Sequence, residues 1–240
     1  MELVVALCSF LFGLAFGSFL NVVIYRVPRG LSVVKPGSSC PKCGHRLGPV
    51  ELVPLLSFFL QRGRCRACGE RISWRYPLVE CLTGLGFAFV AWTSPAWTEF
   101  VVGCVFFSLL LVLAFIDLDH KILPNVLTLP GVVLGFAFSV LGWTGSVLDS
   151  VLGAVVGFGL ITLIAVISRG GMGMGDAKLM AMIGAFSGWK AVFYVLFGAS
   201  LLGSIGGIIY LYVTKQDRKT PIPFGPSLAV AAIVMYFFLK

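Results

Sequence analysis

Charge is what this sequence most lacks. Of its 240 residues only 12% are Asp, Glu, Lys or Arg, and just ten are acidic, against roughly 25% charged residues in an ordinary soluble domain. That density leaves too few charges to cover a water-facing surface, which excludes a soluble globule. A basic segment ahead of the first apolar run is also missing. Glu2 precedes Leu3 to Tyr25, Arg26 follows it, and no small-residue cleavage site closes it. The pattern argues against a cleaved secretory signal and predicts a retained first span. The glycines at 170–175 do not follow a strand and do not fit G-x-G-x-x-G, which excludes a dinucleotide fingerprint.

What is present is apolar. Hydrophobic residues make up 58% of the chain and the mean hydropathy is +1.00, so the length is better spent on spans of about 20 residues than on soluble domains. Apolar stretches bounded by Gly, Pro or charge predict an all-α polytopic membrane protein of about eight transmembrane helices, near 3–25, 77–93, 99–116, 126–143, 148–168, 178–188, 191–213 and 227–239. The sixth and eighth fall short of a full crossing length. The net charge of +8 does not point to nucleic acid, because sixteen of the eighteen Lys and Arg residues lie in the loops 26–76, 117–125, 169–178 and 214–226. By the positive-inside rule those loops face the cytoplasm and both termini lie outside. The pairs Gly13/Gly17, Gly131/Gly135, Gly153/Gly157 and Gly203/Gly207 read as small-xxx-small faces that let helices approach closely.

The largest loop contains Cys40-Pro-Lys-Cys43-Gly and Cys65-Arg-Ala-Cys68-Gly, with 21 residues between the pairs. A turn closing over two residues aims both thiolates at one metal, and two such knuckles complete a tetrahedral site. Four thiolates leave no open position, so zinc held by Cys40, Cys43, Cys65 and Cys68 is expected to be structural and to replace a hydrophobic core in a loop of this size. His45 is read as a neighbour of the site rather than a ligand. Cys8, Cys81 and Cys104 lie in spans and read as small core residues.

Ionisable residues at membrane depth are costly, which makes them functional candidates. Two stretches qualify: Ile116-Asp117-Leu118-Asp119-His120, running on through Pro124-Asn125, and Gly173-Met174-Gly175-Asp176-Ala177-Lys178. Span parity brings them to one face. Two carboxylates from different helices can form a dyad in which mutual repulsion keeps one protonated while the other activates water. Asp117 and Asp119 are two residues apart and cannot both point inward. Asp117 continues the apolar run and is the preferred member; Asp119 is read as a solvated neighbour. Gly173 and Gly175 are expected to admit a close backbone approach and a bend at the membrane edge. Asn21 suits an interhelical hydrogen bond, and Glu80 is read as a partner of Arg75 in preference to a substrate amine.

Together these stretches resemble the bacterial type IV prepilin leader peptidases, membrane aspartic proteases of the GxGD type. The resemblance is carried by Gly17-Ser-Phe-Leu-Asn21 through Arg26-Val-Pro28, the two cysteine knuckles, Arg75-Tyr-Pro-Leu-Val-Glu80, Asp117 through Asn125, Gly171 through Lys178, and Pro223-Phe-Gly-Pro226, in that order along nearly the whole chain. It implies an inner-membrane endopeptidase with Asp117 and Asp176 as the catalytic pair. The substrate would be a prepilin or pseudopilin whose short basic leader is cut after a Gly, ahead of an apolar helix, at the cytoplasmic face. It also implies N-methylation of the new terminus from S-adenosylmethionine, for which Gly63 is the only candidate residue. The organisation expected is a first transmembrane helix over 1–25, a zinc-ribbon-like loop over 26–76 and a peptidase domain over 77–240. Two other readings stand beside it: a presenilin-like protease cutting within spans, which has no need of the cysteine loop, and a transporter or scaffold using its aspartates for ions.

Overall fold

A computed structural model describes residues 2–168, 172–214 and 223–238. Arg169 and Gly171 of the glycine motif, and the three basic residues of the loop at 214–226, lie outside the described residues. The helices run α1 (Glu2–Arg26), α2 (Leu56–Leu60), α3 (Arg75–Thr93), α4 (Trp97–His120), α5 (Asn125–Val140), α6 (Val147–Ile167), α7 (Met174–Ser187), α8 (Trp189–Thr214) and α9 (Gly225–Phe238). Each expected span has a helix of its own. Five helices are long and apolar enough to cross a membrane: α1, α3, α4, α6 and most of α8. α5 and α9 are shorter apolar helices, and α7, with 14 residues, reaches about 21 Å at 1.5 Å per residue, short of a bilayer core of about 30 Å.

The chain forms two compact units, Met1–Cys104 and Val105–Lys240. In the first, α1 and α3 pack as a pair through glycines. A Cβ on Gly13 would stand 2.8 Å from the Gly84 Cα, and one on Gly17 would stand 2.8 Å from the Glu80 Cα. Phe87 closes the pair against Phe12 and Phe16, with ring centroids 5.9 and 5.7 Å away. Asn21 supplies the expected interhelical bond, its Nδ2 donating to the Tyr76 carbonyl at 3.0 Å. Glu80 is buried and accepts from the Leu55 N–H at 2.8 Å, with the Ser18 side chain as a second partner. Leu55 has φ +59, a conformation costly for a side chain with a Cβ. Glu80 therefore pins the loop to α3 at a positive-φ residue, in place of the expected pairing with Arg75.

In the second unit α7 is the core. Ala177 and every residue from Leu179 to Phe186 are buried, and α5, α6, α8 and α9 all pack on this helix. A short helix suffices because protein, not lipid, surrounds it. The paired glycines make the close approaches: Gly153 meets the Gly184 backbone and Gly131 the Met182 side chain, while a Cβ on Gly157 would lie 2.6 Å from the Met180 carbonyl oxygen. α4 joins this core through Phe106, stacked on Phe186 at 4.7 Å and tilted against Tyr236 at 5.0 Å.

Candidate functional site

The loop of the first unit folds as two matched knuckles. Gly44 and Gly69 follow the Cys pairs in left-handed conformation, at φ +73 and +71, which only glycine adopts without strain. Each turn closes the same way: the Gly44 N–H donates to the Cys40 carbonyl and the Gly69 N–H to the Cys65 carbonyl, both at 2.9 Å. Short antiparallel bridges, Ser39 with Arg46 and Arg64 with Arg71, flank them.

The four sulfurs lie within 4.8 Å of one another. Cys40 and Cys68 are 3.9 Å apart and Cys43 and Cys65 4.0 Å, where a tetrahedron with metal–sulfur bonds of about 2.3 Å has edges of about 3.8 Å. The residues fit a four-thiolate metal ion. Backbone N–H groups of Cys43, then Lys42, lower the Cys40 thiol to about 6. Cys68 receives the Glu70 N–H, which lowers it, yet desolvation and the other three thiols push it up to about 12. A dication at the centre removes that mutual opposition. His45 turns away from the cluster to Glu51, with Nε2 3.2 Å from Oε2. The Gly48 N–H, then His45, hold the Glu51 carboxyl below the usual range against the opposing effect of desolvation.

In the second unit three segments distant in sequence meet. α4 ends at Asp117–His120, where the Lys121 N–H returns to the Asp117 carbonyl at 2.8 Å and Lys121 takes φ +55 to leave the helix. Asp117 is buried at 5% exposure, while Asp119, two residues on, is exposed. A helix C-terminus is unfavourable for a carboxylate. The counterweight comes from the first residue of α9, since the Gly225 N–H donates to Asp117 Oδ2 at 2.9 Å across 108 residues of sequence. A Cβ on Gly225 would stand 2.7 Å from that same oxygen. Glycine is required there for room, and the Pro-Phe-Gly-Pro stretch thus has a physical role that no sequence pattern revealed.

Asp176 is the third residue of α7, where a carboxylate complements the helix N-terminus. Its Oδ2 accepts from the Gly173 N–H at 3.2 Å, half of a capping box. Gly173 and Gly175 take angles open to other residues, Gly173 extended and Gly175 helical, so the bend expected of these two glycines does not require them. The close approach expected of Gly175 is met by Leu123, whose Cβ would lie 3.1 Å from a Cβ added there. Lys178 Nζ donates to Asn125 Oδ1 at 2.8 Å, a second tie between the two aspartate segments. Asp176 and Asp117 lie within electrostatic reach of each other. Such a pair can hold one proton between two oxygens of opposite role, which is the chemistry of an acid–base dyad.

Gly63 lies far in sequence from these groups, in the cysteine loop. Its φ is +64, and a Cβ would sit 3.2 Å from the Phe58 ring. It lines an open cleft of about 480 Å³ with Phe58, Phe59, Trp74, Arg62, Arg64 and Arg71.

The fold defines a multi-pass helical membrane protein with a four-cysteine loop and two aspartates within electrostatic reach of each other. Residues 11–94 match the bacterial peptidase A24 N-terminal domain, and residues 104–208 match the type IV leader peptidase family. A Pseudomonas aeruginosa protein named prepilin leader peptidase/N-methyltransferase is 39% identical over 256 residues, covering 94% of this chain and 87% of that one. A Bacillus subtilis protein of the same name is 36% identical, covering 95% and 92%. One from Myxococcus xanthus is 47% identical, with 88% of this chain aligned; the chain spans 64% of that relative's length. No solved structure matches. The chain belongs to the type IV leader peptidase family.

Proposed function

We propose that this protein is an aspartic endopeptidase that removes the leader from type IV prepilins or pseudopilins and N-methylates the new terminus, with Asp117 and Asp176 as its catalytic pair. The observation that supports the reading is a pair of aspartates from different helices within electrostatic reach of each other, each held by a backbone N–H, Asp117 buried and Asp176 half-buried. With the scissile peptide between them, the ionised carboxylate takes a proton from water as the water oxygen attacks the carbonyl carbon. The protonated partner gives its proton to the carbonyl oxygen. On collapse of the tetrahedral species the C–N bond breaks: the first carboxyl gives its proton to the leaving amine, and its partner takes one back from a geminal hydroxyl, which restores the pair. The two pKa values of such a pair belong to the pair as a whole. A presenilin-like reading shares the aspartates but has no use for the four-cysteine loop, and a transporter does not account for the family match.

The loop charges favour a site at the cytoplasmic face, where a basic leader would lie in solvent and the following apolar helix in the bilayer. Single cysteines introduced at Ser94 or Ser146 are expected to label from the periplasm, and one at Thr220 is not; the reverse pattern would overturn the orientation. The four cysteines hold structural zinc. When bound, S-adenosylmethionine supplies an electrophilic methyl group. The cleft at Gly63 does not fit this donor: its sulfonium and ammonium groups outnumber its one carboxylate, and the lining presents three guanidinium groups and no acid. No methylation step is derived there. The test of the proposal is cleavage of a prepilin by purified protein in liposomes, with mapping of the cut. A cut within the apolar helix, or none, would sink it.

A further inference from the structure

The cleft in the cysteine loop faces a class of ligand that the peptidase reading does not use. Its floor is Phe58, 7% exposed, packed against Trp74 with ring centroids 4.8 Å apart. Its rim carries Arg62, Arg64 and Arg71, all exposed, with no carboxylate among the lining residues. The nearest acidic residue in sequence, Glu70, is paired with Lys42. Beside the cleft, α2 turns Leu56, Phe59 and Leu60 outward, at 61%, 60% and 75% exposure, a density of bare apolar surface unusual outside a binding or membrane face.

Position decides what covers this surface. Trp74 is itself 68% exposed and directly precedes α3, a helix long and apolar enough to cross the bilayer. A Trp at the mouth of a span lies at headgroup depth, and arginines beside it face the anionic lipids of that leaflet. A guanidinium group pairs with a phosphate through two parallel N–H donors. The volume, about 480 Å³, is in the range of small-ligand sites and accommodates a phosphodiester headgroup with its glycerol.

We propose that this cleft binds the headgroup of an anionic phospholipid from the bilayer that α3 enters, with Arg62, Arg64 and Arg71 on the phosphates and Phe59, Leu60 and Trp74 against the glycerol and upper acyl chains. The contact anchors the metal-bearing loop to the membrane surface beside its own span. It stands on the membrane fold and does not depend on the aspartates.

The experiment uses the full chain in nanodiscs of about three parts phosphatidylcholine to one part phosphatidylglycerol, followed by native mass spectrometry of lipids retained after detergent release. The wild-type protein should keep phosphatidylglycerol in preference to phosphatidylcholine, and millimolar inorganic phosphate should not displace it. Each guanidinium removed should lower retention about fivefold, so Arg64→Gln with Arg71→Gln should abolish the preference while metal content stays at the wild-type level. Equal retention of the two lipids by the wild type would overturn the proposal without any variant. So would a metal-loaded double variant that keeps its phosphatidylglycerol. Displacement of the lipid by inorganic phosphate would overturn it in favour of a free-anion site, and displacement by S-adenosylmethionine in favour of a methyl-donor site.

Discussion

The two units build their sites in opposite ways. In Met1–Cys104 the four thiols come from two knuckles whose geometry is complete within five residues each: Cys, two spacers, Cys, and a left-handed Gly. In Val105–Lys240 nothing is complete locally. Asp117 ends one helix, Asp176 starts another, and the N–H that steadies Asp117 begins a third. A local site survives if its turns survive. A dispersed site needs the whole helical core to hold each carboxylate in place, with α7 enclosed by its neighbours. The contrast also separates the roles proposed for them, because a closed four-thiolate cluster has no position for a substrate, whereas a pair of carboxylates from two helices can take one between them.

The sharpest way to break this comparison is to remove one carboxylate while keeping its shape. Asp117→Asn and Asp176→Asn should each lower leader cleavage by at least about 10²–10⁴-fold in assays with matched protein, and both variants should stay inserted and metal-bound. Asp119→Asn should retain most activity. An Asp176→Asn enzyme that cleaves normally would remove the dyad, and loss of activity only in Asp119→Asn would move the site by two residues.

Next in size is the metal. Purified protein should carry about one zinc per chain, as a single tetrahedral four-thiolate site requires, and Cys43→Ser should lower that content and expose loop 26–76 to protease. A metal-free chain with a protease-resistant loop would show that the knuckles need no ion. The units should then diverge: loss of metal should not alter the α5–α9 core, which near-ultraviolet circular dichroism of its aromatic cluster can follow.

Smaller effects are expected from two glycines that are required for different reasons. Gly225→Ala places a methyl group against Asp117 Oδ2. Displacing a catalytic group by about 1 Å costs up to roughly 10²-fold in rate, so cleavage should fall within that range with little change in metal content. Gly44→Ala meets open space but has φ +73, a conformation costing about 1–2 kcal/mol for a residue with a Cβ. It should weaken metal retention and leave cleavage less affected than Gly225→Ala does. If the two variants behaved alike, the distinction between a local and a dispersed site would fail.

Much of this protein was legible in its residues. Eight apolar stretches became eight helices, with boundaries shifted by up to four residues: α4 runs on to His120, α5 stops at Val140, and α7 starts at Met174, four residues before the apolar run, where Asp176 reaches back to the Gly173 N–H. The metal cluster was legible because C-x-x-C-G is a local instruction, in which the turn, the thiol spacing and the left-handed glycine are all encoded within one short segment. The different surroundings of Asp117 and Asp119 were also legible, since helical geometry sends residues two apart to different sides, and the structure buries the first and exposes the second.

Sequence by itself determined the class of solvent, the number of apolar helices and the four-thiol knuckles, because each follows from local composition or spacing; that only five of those helices reach membrane length was decided by the structure. It could not determine that Gly225 donates to Asp117, that Leu123 packs on Gly175, or that Glu80 pins Leu55 rather than pairing with Arg75. These contacts join residues 25 to 108 positions apart. They exist only once the helices pack, because a backbone N–H carries no side-chain signature and becomes a specific donor only where the fold brings a carboxylate against it.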